Sequence, residues 1–262
     1  EAANSPEPPY VMVHDYHLYL VPGYVRDVLP EAQIEHYVHI PWPGAGYWQL
    51  LPSQMRKSIC ESLCSADIVG FQTTQDARSF LATCDEFLPG AEVDFTVNTV
   101  RFQERKTAAR AYPLSIDVEE IRRIASSPRA TEHKRQLESL CGEATIIRVD
   151  RAEPNKNIVR GFHAFDLLLQ RYPEFRGRVK FLAFLVPSRT HIRQYQRYLD
   201  EIQQLASTIN ANHGSDDWQP IQVFLENNYA QAIAGMCLYD VLLVNAVIDG
   251  MNLIAKEGPI VN

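Results

Sequence analysis

No stretch of this 262-residue chain is apolar for long enough to span a bilayer; runs such as YDVLLVNAVI are far too short. No basic run occurs and the net charge is −7, so nucleic-acid binding is not expected. Five cysteines without regular spacing argue against a disulfide framework and for a reducing, cytoplasmic compartment. Cys60 and Cys64 are four apart, which stacks them on one helix face as buried thiols rather than a C-x-x-C pair. The dinucleotide fingerprint G-x-G-x-x-G and the Walker A loop are both missing, which weakens hydride transfer and nucleotide hydrolysis. G-x-S-x-G, H-E-x-x-H and Asp-x-Asp are missing as well, so neither a nucleophile elbow nor a metal centre is expected. No signal peptide is visible. The chain starts with Glu1 and ends in GPIVN, which reads as strand, so a piece of a longer protein is expected.

What is present is a hydrophobic content of 46%, ample for a packed core in one large or two smaller domains. YVMVHDY reads as a buried parallel strand, and QIEHYVHIPWP as a second that its prolines terminate. PSQMRKSICESLCSAD has Pro52 at a helix start. IVGFQT is a strand, followed by a helix with a threonine cap. Val93 to Arg110 suggests a hairpin, and ARAYPLSID a further strand. A polar change at Ser126–Arg129 runs to Gly142, and a fresh strand–helix series then begins at TIIRVD and ends in the strand VLLVNAVID. Strands alternating with helices mean an α/β fold with covered parallel sheets. The expected architecture is two Rossmann-like units, residues 1–140 and 141–262.

In open α/β sheets ligands bind beyond the carboxyl ends of the strands. The polar residues there are His14, Asp15, His39, Gln72, Arg151, Lys156, Ser188, Arg189, Asn227, Asn228 and Asp249 through Asn252. Gly250 lets a ligand approach the backbone, and the N–H groups after it suit phosphate. Asp249 could accept from sugar hydroxyls, and Glu257 could reach a ribose diol. A plain turn with an aspartate cap is the competing reading. Arg151 and Lys156 suit a diphosphate, Arg as a planar fork and Lys as a point charge. Two solvated surface cations are the competing reading.

Taken together, HDYHLYLVP, HIPWP, DIVGFQT, VDRAEPNKN, VPSR and DGMNLIAKE occur in the order seen in the trehalose-6-phosphate synthase family, which the whole chain resembles. That family consists of retaining glycosyltransferases of the two-Rossmann (GT-B) type, whose units face across a cleft. The resemblance implies that the C-terminal unit binds a nucleoside-diphosphate glucose, with UDP, GDP and ADP all open. It implies that Arg151 and Lys156 hold the diphosphate and Asp249 binds the transferred glucose. Gly250, Met251, Asn252 and Leu253 would contact sugar and phosphate through their backbone, and Glu257 the ribose. His39 would lie beside the donor sugar, and Asp15 and Arg189 would bind the acceptor, glucose 6-phosphate or a similar phosphorylated sugar. No metal, other cofactor, nucleic acid or membrane is implied, and homo-oligomer formation is left open.

Three departures from the family pattern matter. Its N-terminal Gly-rich loop and its C-terminal closing part are not in this sequence, so both units are expected to be incomplete and activity of this chain alone is open. R-x-D-x-x-K-G becomes RAEPNKN, with Glu153 for Asp and Asn157 for Gly, which could alter the loop. HIPWPGAGYW differs from the commoner HIPFP type and is expected to flank the cleft, where it could alter the acceptor. Transfer to another acceptor, cyclitol coupling without a glycosidic bond, and a non-catalytic regulatory paralogue are the alternatives.

Overall fold

The computed structural model describes residues 8–262. The chain divides into two compact units between Leu114 and Ser115.

The first unit runs β1 (Tyr10–His14), α1 (Val21–Val28), β2 (Gln33–Val38), α2 (Ala45–Trp48), α3 (Ser53–Leu63), β3 (Ile68–Phe71) and α4 (Thr74–Phe87). It closes with β4 (Glu92–Asp94), β5 (Thr99–Phe102) and β6 (Arg105–Ala111). Its sheet has the order β1-β2-β3-β6-β5-β4. β1, β2, β3 and β6 are parallel, and β5 and β4 extend the sheet antiparallel. The expected hairpin and the strand after it are thus one system, since β6 serves as hairpin arm and parallel strand at once. β1 lies at the sheet edge among the described residues, with Tyr10 and Met12 exposed, so it is not the buried strand its apolar run suggested. The core gathers Ile34, Val38, Val69 and Phe71 from the strands, and Leu63, Phe80 and Leu81 from the helices. α4 begins as its sequence demands, with the Thr73 hydroxyl accepting from the Asp76 N–H.

The second unit contains α5 (Val118–Ala125), α6 (Pro128–Glu138), β7 (Ala144–Arg151), α7 (Ile158–Arg171), β8 (Val179–Val186) and α8 (Arg193–His213). β9 (Ile221–Leu225), α9 (Tyr229–Met236), β10 (Val241–Leu242) and α10 (Ile254–Val261) follow. Its parallel sheet has the order β10-β7-β8-β9. β8 shows why its sequence is a continuous apolar run. Phe181, Ala183 and Leu185 pack toward α7 and α8, while Leu182 and Phe184 pack toward α5, α6 and α9. Burying side chains of that size stabilises by about 1.5–3 kcal/mol each.

Three sequence expectations change here. The polar stretch after Ser126, which the sequence left without an element, forms helix α6, with Pro128 in its first turn and the Ser127 hydroxyl capping the Ala130 N–H. α5 and α6 bury Ile121, Ala130 and Leu137 against Ile233 and Met236 of α9, which moves the seam from near residue 140 to Leu114. The strand expected over VLLVNAVID pairs only at Val241 and Leu242, and the final residues GPIV are helical rather than extended.

Candidate active site

In the second unit the carboxyl end of β7 carries Arg148, Asp150 and Arg151. A one-turn 3-10 helix, Pro154–Lys156, follows, and Asn157 links it to α7. Asn157 takes a left-handed conformation, φ 60° and ψ 36°. Asparagine tolerates that region better than most residues, so the loop survives the loss of the family glycine. The amide of Asn157 donates to the Asn245 carbonyl at 3.0 Å, and that of Asn245 returns a bond to the Asn157 carbonyl at 3.4 Å. Val247 N–H donates to the Asn155 carbonyl at 2.9 Å. These bonds tie the residues after β10 to the loop after β7.

That tie brings Lys156 to Asp249. The Lys156 ammonium donates to Asp249 Oδ2 at 2.5 Å and lies 4.0 Å from Asp150 Oδ1. Asn252 Nδ2 donates to the same Asp249 oxygen at 3.0 Å. Asn252 Oδ1 in turn accepts from the Ala255 N–H at 3.3 Å, so the asparagine caps α10 and Asp249 stays outside the helix. Gly250 and Met251 form the bend between them, and Leu253 is the residue just before α10. The aspartate-cap reading of this turn does not hold, because Asn252 takes that part.

Arg151 is exposed and pairs with Glu153 at 3.0 Å. Glu153 also accepts from the Ser188 hydroxyl at 2.7 Å, so the substituted acid links the ends of β7 and β8. Arg189 follows Ser188 in a left-handed conformation, φ 48°. Its guanidinium donates to the Tyr195 hydroxyl at 3.0 Å and sits over that ring, 5.5 Å from the centroid. Glu257, on α10, is 7% exposed, and its Oε2 has no hydrogen-bond partner among the described residues. Burial raises its pKa above the usual carboxylate value, and a bond from Tyr229 offsets part of that. Burial and Glu257 push the Tyr229 hydroxyl up to about 12.

In the first unit, His14 and Asp15 end β1 and His39 follows β2. His14 Nδ1 lies 3.1 Å from His39 Nε2, and the Tyr37 ring packs edge-on against His39. Asp15 has φ 69° and ψ 171°, a region that only glycine enters readily. Its N–H donates to the Tyr37 carbonyl at 2.7 Å, while its Oδ1 is buried with no partner among the described residues. A backbone in that region and a buried oxygen without a partner make Asp15 a candidate for a binding role.

Other candidates are structural. Gln72 accepts from the Leu114 N–H, and Asn228 caps α9. Trp42 of the variant HIPWP stretch is 2% exposed and stacked on Trp48, with its indole N–H on Thr83 Oγ1 at 3.0 Å. That tryptophan therefore faces the core rather than a cleft.

Sequence reasoning missed Arg148, Asp150, Asn245 and Tyr229. Arg148 left a readable signal, a charge inside the apolar run TIIRVD with an acid two residues on, hence on the same face. Asn245 and Tyr229 left none. Among the described residues no group of three or more His, Cys, Asp or Glu could hold a metal ion. No helix among them is long and apolar enough to cross a membrane.

The sequence pattern of glycosyltransferase family 20 matches residues 3–261. The chain belongs to that family. It is 34% identical over 251 residues to a bifunctional trehalose-6-phosphate synthase/phosphatase of Thermoproteus tenax, which covers 94% of this chain and 34% of that protein. A UDP-forming alpha,alpha-trehalose-phosphate synthase of Burkholderia xenovorans in complex with glucose-6-phosphate superposes with a TM-score of 0.88 at 28% identity. The match covers 98% of this chain and 57% of that one. The E. coli trehalose-6-phosphate protein bound with UDP-2-fluoro glucose gives 0.87 at 26% identity, with the same coverages. The chain thus spans about half the length of these solved relatives. The family pattern runs through both units, so the two clusters described above belong to one family member.

Proposed function

We propose that the protein transfers glucose from UDP-glucose to glucose 6-phosphate with retention, forming trehalose 6-phosphate. The observation that carries this reading is the meeting of Lys156 and Asp249 across the ends of β7 and β10. A cation for phosphate and a carboxylate for sugar hydroxyls stand side by side, as a nucleotide sugar requires. The unpartnered, buried Glu257 oxygen supplies an acceptor for the ribose diol. The relatives that match are UDP-forming, which favours UDP over GDP or ADP.

In this reading the second unit, from Ser115, takes the donor, and Gly250 to Leu253 offer backbone N–H groups to it. His39 is assigned to the donor sugar, and Asp15 and Arg189 to the acceptor sugar phosphate. The acceptor hydroxyl attacks the anomeric carbon as its bond to the diphosphate breaks. The departing diphosphate oxygen takes the hydroxyl proton on the same face. Arg151 and Lys156 meet the charge that develops on that oxygen, so catalysis is positioning plus charge stabilisation. Two cations in that role make the reaction metal-independent. Cysteines all unpaired among the described residues fit a cytoplasmic site of action.

The test is incubation of the full-length protein with UDP-, GDP- or ADP-glucose and glucose 6-phosphate or glycerol 3-phosphate. Product mass, anomeric configuration and diphosphate release are followed, with and without EDTA. A trehalose phosphate formed from UDP-glucose, undiminished by EDTA and lost in Lys156→Ala, supports the reading. Nucleotide-sugar binding without turnover on any pair leaves the regulatory paralogue instead, and product only with another acceptor moves the specificity.

A further inference from the structure

We propose that Arg148 is a positioning residue that sets the place of Lys156 for the diphosphate; this rests on the donor-site reading above. Arg148 is 0% exposed, the largest fully buried side chain among the described residues. A buried guanidinium is expensive unless its donors are matched. Its Nε donates to Asp150 Oδ2 at 2.9 Å, its Nη2 donates to the carbonyl of Lys156 itself, and its Nη1 has no hydrogen-bond partner among the described residues. Asp150 presents its other oxygen to the Lys156 ammonium. Arg148 therefore acts on the lysine at both ends, on its backbone directly and on its charge through Asp150.

The surroundings are shaped to that contact. Gly161 lies one turn into α7, and a Cβ there would come 2.6 Å from Arg148 Nη1. The helix leaves out a side chain where the guanidinium lies. Asn157, immediately after Lys156, is held left-handed and tied to Asn245. The lysine is thus fixed by a bond to its carbonyl on one side and by a locked residue on the next. A planar fork can reach a carboxylate and a carbonyl together; a lysine ammonium would be a single point charge on a flexible stem.

A purely structural role would consist of compensating the buried charge of Asp150, and the two roles separate in a double variant. In the full-length protein, Arg148→Met alone leaves Asp150 unpaired and lowers the melting temperature. Arg148→Met combined with Asp150→Asn removes both charges and restores most of the melting temperature. The double variant is expected to bind UDP about 10- to 100-fold more weakly than wild type, as lysine misplacement implies. Arg148→Lys, which keeps the charge and loses the fork, is expected to fall between them in UDP affinity. A folded double variant that binds UDP as wild type does would overturn the positioning role and leave charge compensation. If Arg148→Met and the double variant are both unfolded, the folded Arg148→Lys decides alone, and wild-type affinity there overturns the proposal. Wild type that binds no UDP, GDP or ADP overturns the donor-site reading first, and this inference with it.

Discussion

Lys156 and Asp249 are 93 residues apart in the chain, yet the ammonium of one bonds the carboxylate of the other. Their meeting depends on β10 pairing with β7, which sets the ends of the two strands side by side. The bonds from Asn157 to Asn245 and from Val247 to Asn155 then zip the following loops together. Each partner balances the charge of the other, and in the proposed donor site the cation would meet a diphosphate and the carboxylate the sugar hydroxyls.

Replacing either partner is therefore expected to separate the two halves of donor recognition. Lys156→Ala should lose affinity for UDP and UDP-glucose alike, with kcat/KM down on the order of 10²–10³. Asp249→Ala should keep affinity for UDP while losing the extra affinity contributed by glucose. Calorimetric titration with UDP and with UDP-glucose checks both. Equal loss of the two ligands in Asp249→Ala would show that its part is only to hold Lys156.

His36 should make folding stability depend on pH. It is fully buried, and neither ring nitrogen has a well-placed hydrogen-bond partner among the described residues. Desolvation lowers its pKa from 6.5 to about 4, with the Asp15 backbone nearby offsetting part of the effect. Between those values the unfolded chain binds the proton and the folded one does not. Stability from this group is thus complete above pH 6.5 and falls by about 3 kcal/mol as pH drops to 4. Urea unfolding at several pH values should show a shallower fall for His36→Leu over that window. Parallel curves would mean that the histidine is protonated in the folded protein.

Trp42 and Thr83 form a buried pair in which the hydroxyl is fully used. Thr83 Oγ1 accepts from the indole N–H at 3.0 Å and donates to the Ser79 carbonyl at 2.8 Å. Thr83→Val leaves the indole N–H unmatched, at a cost of about 1–3 kcal/mol. In Trp42→Phe that donor is gone, so adding Thr83→Val to it should cost less than it does in wild type. A double-mutant cycle by denaturant unfolding measures the difference. Additive losses would remove the hydrogen bond from the explanation.

Asn157 should prove more sensitive to alanine than to glycine. Its left-handed backbone disfavours a Cβ-bearing residue without a local polar group by about 1–2 kcal/mol. Alanine also removes the amide bond to Asn245. Glycine loses the bond but keeps the conformation, and is the residue the family pattern carries. Thermal unfolding should rank wild type, then Asn157→Gly, then Asn157→Ala. Equal losses in the two variants would mean that the amide bond rather than the backbone sets the cost.

Much of this was legible in the amino acids themselves. The apolar runs RVKFLAFLVP and TIIRVD called for strands covered on both faces, and β8 and β7 are such strands. The threonine cap expected after IVGFQT is supplied by Thr73. The residue types at strand ends singled out Arg151, Lys156 and Asp249 as candidates, and the structure sets Lys156 against Asp249 while Arg151 pairs with Glu153. Such signals are local, carried by a few neighbouring residues and their backbone preferences.

Other features depended on residues far apart in sequence. The polar composition of α6 hid a helix, because only Ala130 and Leu137 are buried on it. The fate of Trp42 depended on Thr83, 41 residues away, offering an acceptor inside the core. The strand suggested by VNAVID gave way to a loop, because Asn245 and Val247 found partners in the loop after β7 instead of in the ladder. Arg148 was visible as a charge in an apolar strand, but its hold on Lys156 required the turn that brings that carbonyl back over β7. Local propensity thus determined most of the elements, and packing between distant segments decided the rest, together with which side chains are buried and which meet at the strand ends.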